Sequence, residues 1–87
     1  MWKRNMNTLE VAHLIERFLE NKSLYSQEWN DFVDTSQDDQ VVNGYRKRCY
    51  ELDPLVNRPD EPDPKAVAEL RGIINELRSR SVDKGVD

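Results

Sequence analysis

All four prolines of this chain lie between residues 53 and 64, in the run DPLVNRPDEPDP, flanked by segments patterned as helices. Proline lacks the amide donor that a helix requires, and its ring clashes with the preceding turn. The residue ahead of each proline is also biased toward extended backbone. No helix is expected to cross this stretch, which separates the patterned segments before it from a single closing helix. Leu55 and Val56 are its apolar anchors and are expected to fold back as a lid on the end of the bundle.

Before the prolines, Val11, Leu14, Ile15, Phe18 and Leu19 recur at three- and four-residue steps and predict a helix from Asn7 to about Glu20. Asn7 with Glu10 three residues on has the spacing of a capping box. His13, Glu16, Arg17 and Glu20 fall on the opposite, polar side. After a break at residues 21–23, Ser26 is expected to cap a second helix of about two turns, with Trp29, Phe32 and Val33 inward. Leu24 and Tyr25 stand just upstream as packing anchors. A third helix is expected after Ser36, where Asp38 and Asp39 suit the positive end of the helix dipole and Arg46, Lys47 and Arg48 its far end. Its inner stripe is Val41, Val42, Tyr45, Cys49 and Leu52. Gly44 weakens such a helix by about 1 kcal/mol relative to alanine, which suggests a close helix contact at that point.

Asp63 followed by Pro64 is the clearest helix start in the chain: a side-chain acceptor for the first free amides, then a ring that needs no hydrogen bond. Ala66, Val67, Leu70, Ile73, Ile74 and Leu77 form its apolar stripe, and Glu76 with Arg80 has the spacing of a favourable ion pair. No interior stretch alternates between apolar and polar as a half-buried strand does. The expected fold is therefore all-α: one small domain over residues 1–87, a bundle of three long helices plus one short helix. Its ordered core should span about residues 8–80, with Trp2 in a loosely packed terminus and residues 81–87 frayed.

A formal charge of −4 gives an acidic surface that repels phosphate backbones, so nucleic acid is not an expected partner. No apolar run approaches the roughly 20 residues needed to span a bilayer. MWKRNMN leads into a charged amphipathic segment instead of a signal-peptide core, so a cytoplasmic protein with no membrane partner is expected. The single cysteine, Cys49, agrees with a reducing compartment.

Catalytic signatures are missing. His13, the one histidine, sits on the polar side of its helix, and a general base needs a partner within hydrogen-bond reach. Cys49 falls on an apolar stripe, whereas a nucleophilic thiol needs a cationic, accessible setting. Neither DTSQDD nor DEPD has the spacing of a calcium loop, and phosphate-binding glycine loops and zinc-type ligand pairs are absent. No enzyme, catalytic residue, metal site or cofactor is expected. One charge pattern does stand out: Glu28, Asp31, Asp34, Asp38 and Asp39 place five acids within twelve residues free of lysine and arginine. Concentrated charge of this kind steers a basic partner into contact. Tyr50 points off the inner stripe beside Arg46 and Lys47, is expected to be at least partly exposed, and completes the candidate partner-binding set.

The stretches Glu16–Leu19 (E-R-F-L), Trp29–Phe32 (W-N-D-F) and Arg46–Cys49 (R-K-R-C) resemble small uncharacterised bacterial helical proteins over about residues 9–79. That resemblance implies a self-contained helical unit and no activity. Size, acidity and helix order are also similar to those of the colicin-type immunity proteins, acidic bundles that cover the basic surfaces of nuclease toxins. The leading expectation is a small acidic adaptor or regulator that binds another protein. The alternative is an immunity-like inhibitor of a basic toxin or nuclease using the same five acids. Two further options are a ligand pocket joining His13 to Cys49, and a homodimer through the last helix.

Overall fold

The computed structural model describes residues 4–85, with side chains for 4–21 and 23–80; Trp2 lies outside the described residues. The chain is all-α, with four helices and no strand among the described residues: α1 (Thr8–Glu20), α2 (Lys22–Asp34), α3 (Gln40–Val56) and α4 (Pro64–Gly85). Each helix packs on its sequence neighbours, and α4 closes the ring by packing on α1 along the broadest contact of the bundle.

Local chemistry accounts for most of the helix ends. At the start of α1, the Asn7 Oδ1 accepts from the Glu10 amide at 2.8 Å while the Glu10 carboxylate accepts from the Asn7 amide at 3.0 Å. Two of the amides that a helix start leaves open are thereby satisfied. Asp39 caps α3 by accepting from the amides of Val41 and Val42 at 2.8 and 3.1 Å. Asp63 starts α4 in the same way, accepting from Lys65 at 2.8 Å.

Three helix boundaries differ from the sequence pattern. First, α2 begins at Lys22 and not at Ser26, because Asn21 alone forms the corner: its amide closes α1 on the Arg17 carbonyl, and its own carbonyl receives the amides of Leu24 and Tyr25. Leu24 consequently sits within the helix, five residues and about 140° from Trp29, and is 65% exposed instead of serving as an anchor. Second, α3 runs through Pro54 to Val56, so the proline-rich stretch interrupts helix only from residue 57 to 63. A proline inside a helix costs about 3 kcal/mol. Contacts with α2 hold this turn nonetheless: the Trp29 indole donates to Asp53 at 2.6 Å, Asn57 donates to Asn30 at 2.7 Å, and Val56 is buried. Leu55 and Val56 thus form the last turn of α3 and not a folded-back lid, with Leu55 exposed. Third, α4 continues to Gly85.

The core is one cluster drawn from all four helices, centred on Phe18, Trp29, Phe32, Leu70, Ile73 and Leu77. The Phe18 and Trp29 rings stack with centroids 4.3 Å apart and planes 12° from parallel, joining α1 to α2. Offset stacking of this kind adds about 0.5–1.5 kcal/mol beyond simple burial. Val41 is not part of the inner stripe; it lies about 100° round α3 from Val42 and is exposed. Gly44 is likewise at no close helix contact, since a Cβ built there would meet no atom within 4 Å.

A strap over residues 4–7 ties the chain start to the turn between α2 and α3. The Asp38 amide donates to the Arg4 carbonyl at 2.7 Å, and the Met6 amide donates to the Gln37 side chain at 3.0 Å. Gln37 is buried, and its own amide donates to Asn43 at 2.9 Å, so its burial is compensated by hydrogen bonds at both ends. Asn43 also receives Arg46 Nε at 2.8 Å, and Arg46 reaches across to the Val33 carbonyl at the end of α2, again at 2.8 Å. The α2–α3 turn, which carries two of the five candidate acids, is thereby held on three sides.

Candidate functional site

The five acids occupy two settings. Glu28, Asp31 and Asp34 step down α2 at three-residue intervals, which winds them slantwise across its outer surface. Asp38 and Asp39 lie in the turn that follows, both exposed. At one end of the ridge, Glu28 meets Arg17 of α1 in a two-pronged ion pair, with Arg17 Nε donating to Oε2 at 3.0 Å. The same arginine lies 5.8 Å from the centre of the Tyr25 ring. Glu28 is therefore neutralised at short range, and its carboxylate raises the pKa of Arg17 through the hydrogen bond. Asp39 is occupied with capping α3.

What remains is Asp31, Asp34 and Asp38. Among the described residues none of these three carboxylates is in a salt bridge, and Asp31 accepts only a neutral hydrogen bond, from Gln27 at 2.9 Å. Two glutamates elsewhere in the bundle are treated differently. Glu16 is paired with Arg78, with a contact of 2.6 Å to Oε2, and Glu76 with Arg48 at 3.3 Å. Those pairings hold the carboxyls of Glu16 and Glu76 below their ordinary range, through hydrogen bonds from Arg78 and from Tyr45 and Arg48 respectively.

Tyr50 is 57% exposed. It stands one turn beyond Arg46 on the flank of α3 turned toward α2, and Arg46 grips the carbonyl of Val33, the neighbour of Asp34. Among the described residues Tyr50 makes no hydrogen bond to any of the five acids, and it is linked to the end of the ridge only through Arg46. His13 and Cys49 are kept apart: His13 is exposed on α1, whereas Cys49 is wholly buried on α3. Burial pushes the Cys49 thiol up to about 12, so it stays protonated at neutral pH and is shut off from any pocket that His13 could line. Among the described residues, no group of three or more histidine, cysteine, aspartate and glutamate side chains converges as a metal would require, and no helix is long and apolar enough to cross a membrane.

Sequence reasoning missed a second cluster, where α3 meets α4. Tyr45 Oη donates to Glu76 at 3.0 Å and accepts from Arg80 Nε at 3.0 Å, and Arg48 joins the same carboxylate. Glu76 therefore bonds across to α3 instead of forming the expected pair with Arg80. Tyr45 with Arg48 and Glu76 with Arg80 are each visible as neighbours on one helix; their union depends on the rotation of α4 against α3, which no local spacing records. Compared with protein-family models, curated proteins and solved structures, the chain shows no significant match to any of them.

Proposed function

We propose that the protein is a small non-catalytic adaptor or regulator that binds a basic surface of another protein through the acidic face of α2 and the α2–α3 turn, with Tyr50 at its edge. The observation that carries this reading is a grouping: Asp31, Asp34 and Asp38 follow one another along α2 and into the braced turn, and among the described residues none of them stands in a salt bridge, whereas Glu28 beside them is paired with Arg17. Unneutralised charge held on a helix and a braced turn contributes little to folding, but it does accelerate association with a cationic surface. Its buried apolar residues, meanwhile, form a single core.

The test is photocrosslinking from position 50 in cells, followed by affinity measurement against the captured protein. Asp31→Asn/Asp34→Asn/Asp38→Asn should cut affinity at least tenfold and flatten its dependence on salt. Binding unchanged in that variant, or independent of salt, rejects the acidic face. A second, narrower reading is an immunity-like inhibitor whose basic partner is a nuclease toxin, favoured by Asp31, Asp34 and Asp38 continuing from α2 into the turn; protection on co-expression with the toxin distinguishes it from the general adaptor.

A further inference from the structure

On the flank of α3 turned toward α4, starting just past the cap residue Asp39, lies a shallow groove of about 320 Å³ bounded by Gln40, Val41, Gly44, Tyr45, Arg48 and Arg80. Two guanidinium groups flank its aromatic wall: Arg48 is 5.5 Å and Arg80 5.7 Å from the centre of the Tyr45 ring. Only one carboxylate, Glu76, joins this cluster, and it bonds to Tyr45 and to one nitrogen of Arg48. Arg80 engages Tyr45 through Nε, and among the described residues its terminal amino groups have no acceptor. Among the described residues, the Tyr45 end of the notch sets the two arginines against the one carboxylate of Glu76, while Asp39 stands at its Val41 end, on a molecule whose formal charge is −4. Its floor is Gly44, where no side chain intrudes, and its lip is Val41, an apolar side chain 46% exposed.

We propose that this notch receives a glutamate or aspartate side chain from an extended segment of a partner protein, held between Arg48 and Arg80 with an apolar neighbour of that segment resting on Val41. Arginine suits the role because its planar fork binds a carboxylate through parallel hydrogen bonds. The charge of the site selects between anions. A carboxylate matches the one positive charge left over at the Tyr45 end, whereas a phosphate monoester, close to −2 at neutral pH, adds repulsion from Glu76 and from the acidic body of the protein. This inference goes beyond the acidic-face reading, since it uses other residues, the flank of α3 turned toward α4 and the opposite charge.

The experiment is titration of the ¹⁵N-labelled full chain with a capped pentapeptide carrying glutamate between two leucines, read at the Nε–Hε signals of Arg48 and Arg80 and the amides of Val41 and Gly44. Saturable shifts at these positions are expected, with affinity at least tenfold lower for the glutamine counterpart and for Arg48→Gln and Arg80→Gln. Gly44→Leu fills the floor while keeping both arginines and a helix-forming residue, and it should abolish binding with helicity by circular dichroism unchanged. Asp31→Asn/Asp34→Asn/Asp38→Asn should bind the peptide at least as tightly as the unaltered protein does, which separates this result from the fate of the acidic face. Equal shifts from the glutamine peptide, no saturable shift, or normal binding by Gly44→Leu overturns the proposal. Tighter binding of a phosphoserine counterpart overturns it as well and assigns the notch to phosphorylated segments.

Discussion

The Trp29 indole is the largest wholly buried side chain among the described residues, and its single N–H finds its acceptor in Asp53 at 2.6 Å. An indole N–H stranded in the core costs about 1–3 kcal/mol. Asp53→Ala should therefore lower stability by roughly that amount in urea titration, while Asp53→Asn, which keeps an acceptor oxygen, should lose distinctly less. The paired glutamates make a second prediction at this scale. Glu16 and Glu76 have folded pKa values below the ordinary 4.5, Glu16 chiefly through its bond from Arg78 and Glu76 through those from Tyr45 and Arg48. A depressed carboxyl pKa stabilises the fold fully above the unfolded value, and that contribution is lost as pH falls through the folded one. The melting temperature should accordingly drop as pH is lowered beneath about 4.5, and Glu16→Gln should shallow that drop. Both pairs are partly exposed, so high salt should shrink the difference between Glu16→Gln and the unaltered protein.

Among the helices, the boundaries written in short-range chemistry were the legible ones. Asn7 with Glu10 and Asp63 with Pro64 each supply their own cap from neighbouring residues, so their starts can be read without knowing the rest of the fold. The misread end of α3, by contrast, depends on partners more than twenty residues away. Nothing local marks Pro54 as tolerable; Trp29 and Asn30 make it so by holding Asp53 and Asn57. Gly44 shows the same divide in reverse, since its presence on a helix suggested a close neighbour where the fold has open space. Gly44→Ala should thus raise stability by about 0.5–1 kcal/mol, because alanine gains helix propensity and meets nothing. A decrease in the urea midpoint would contradict that placement.

For the molecule as a whole, one core joins every helix, and its loss should be felt everywhere at once. Leu70 has no solvent exposure, and truncating a buried leucine to alanine costs about 2–5 kcal/mol. Leu70→Ala should lower the thermal midpoint steeply, with tryptophan fluorescence and far-ultraviolet circular dichroism falling together in a single transition. The candidate site was legible only as composition: five acids in a row are plain in the sequence, but the removal of Glu28 by Arg17 and the employment of Asp39 as a cap require the folded arrangement. Finally, α1 has its broadest packing partner in α4, and Arg78 grips Glu16 across 62 residues of chain. Such distant closure slows folding relative to neighbour-to-neighbour assembly. On the ribosome, then, the part of α1 that meets α4 stays uncovered, even after α2 has docked, until the closing helix leaves the exit tunnel, and nascent chains at that stage are the species that chaperones would be expected to hold.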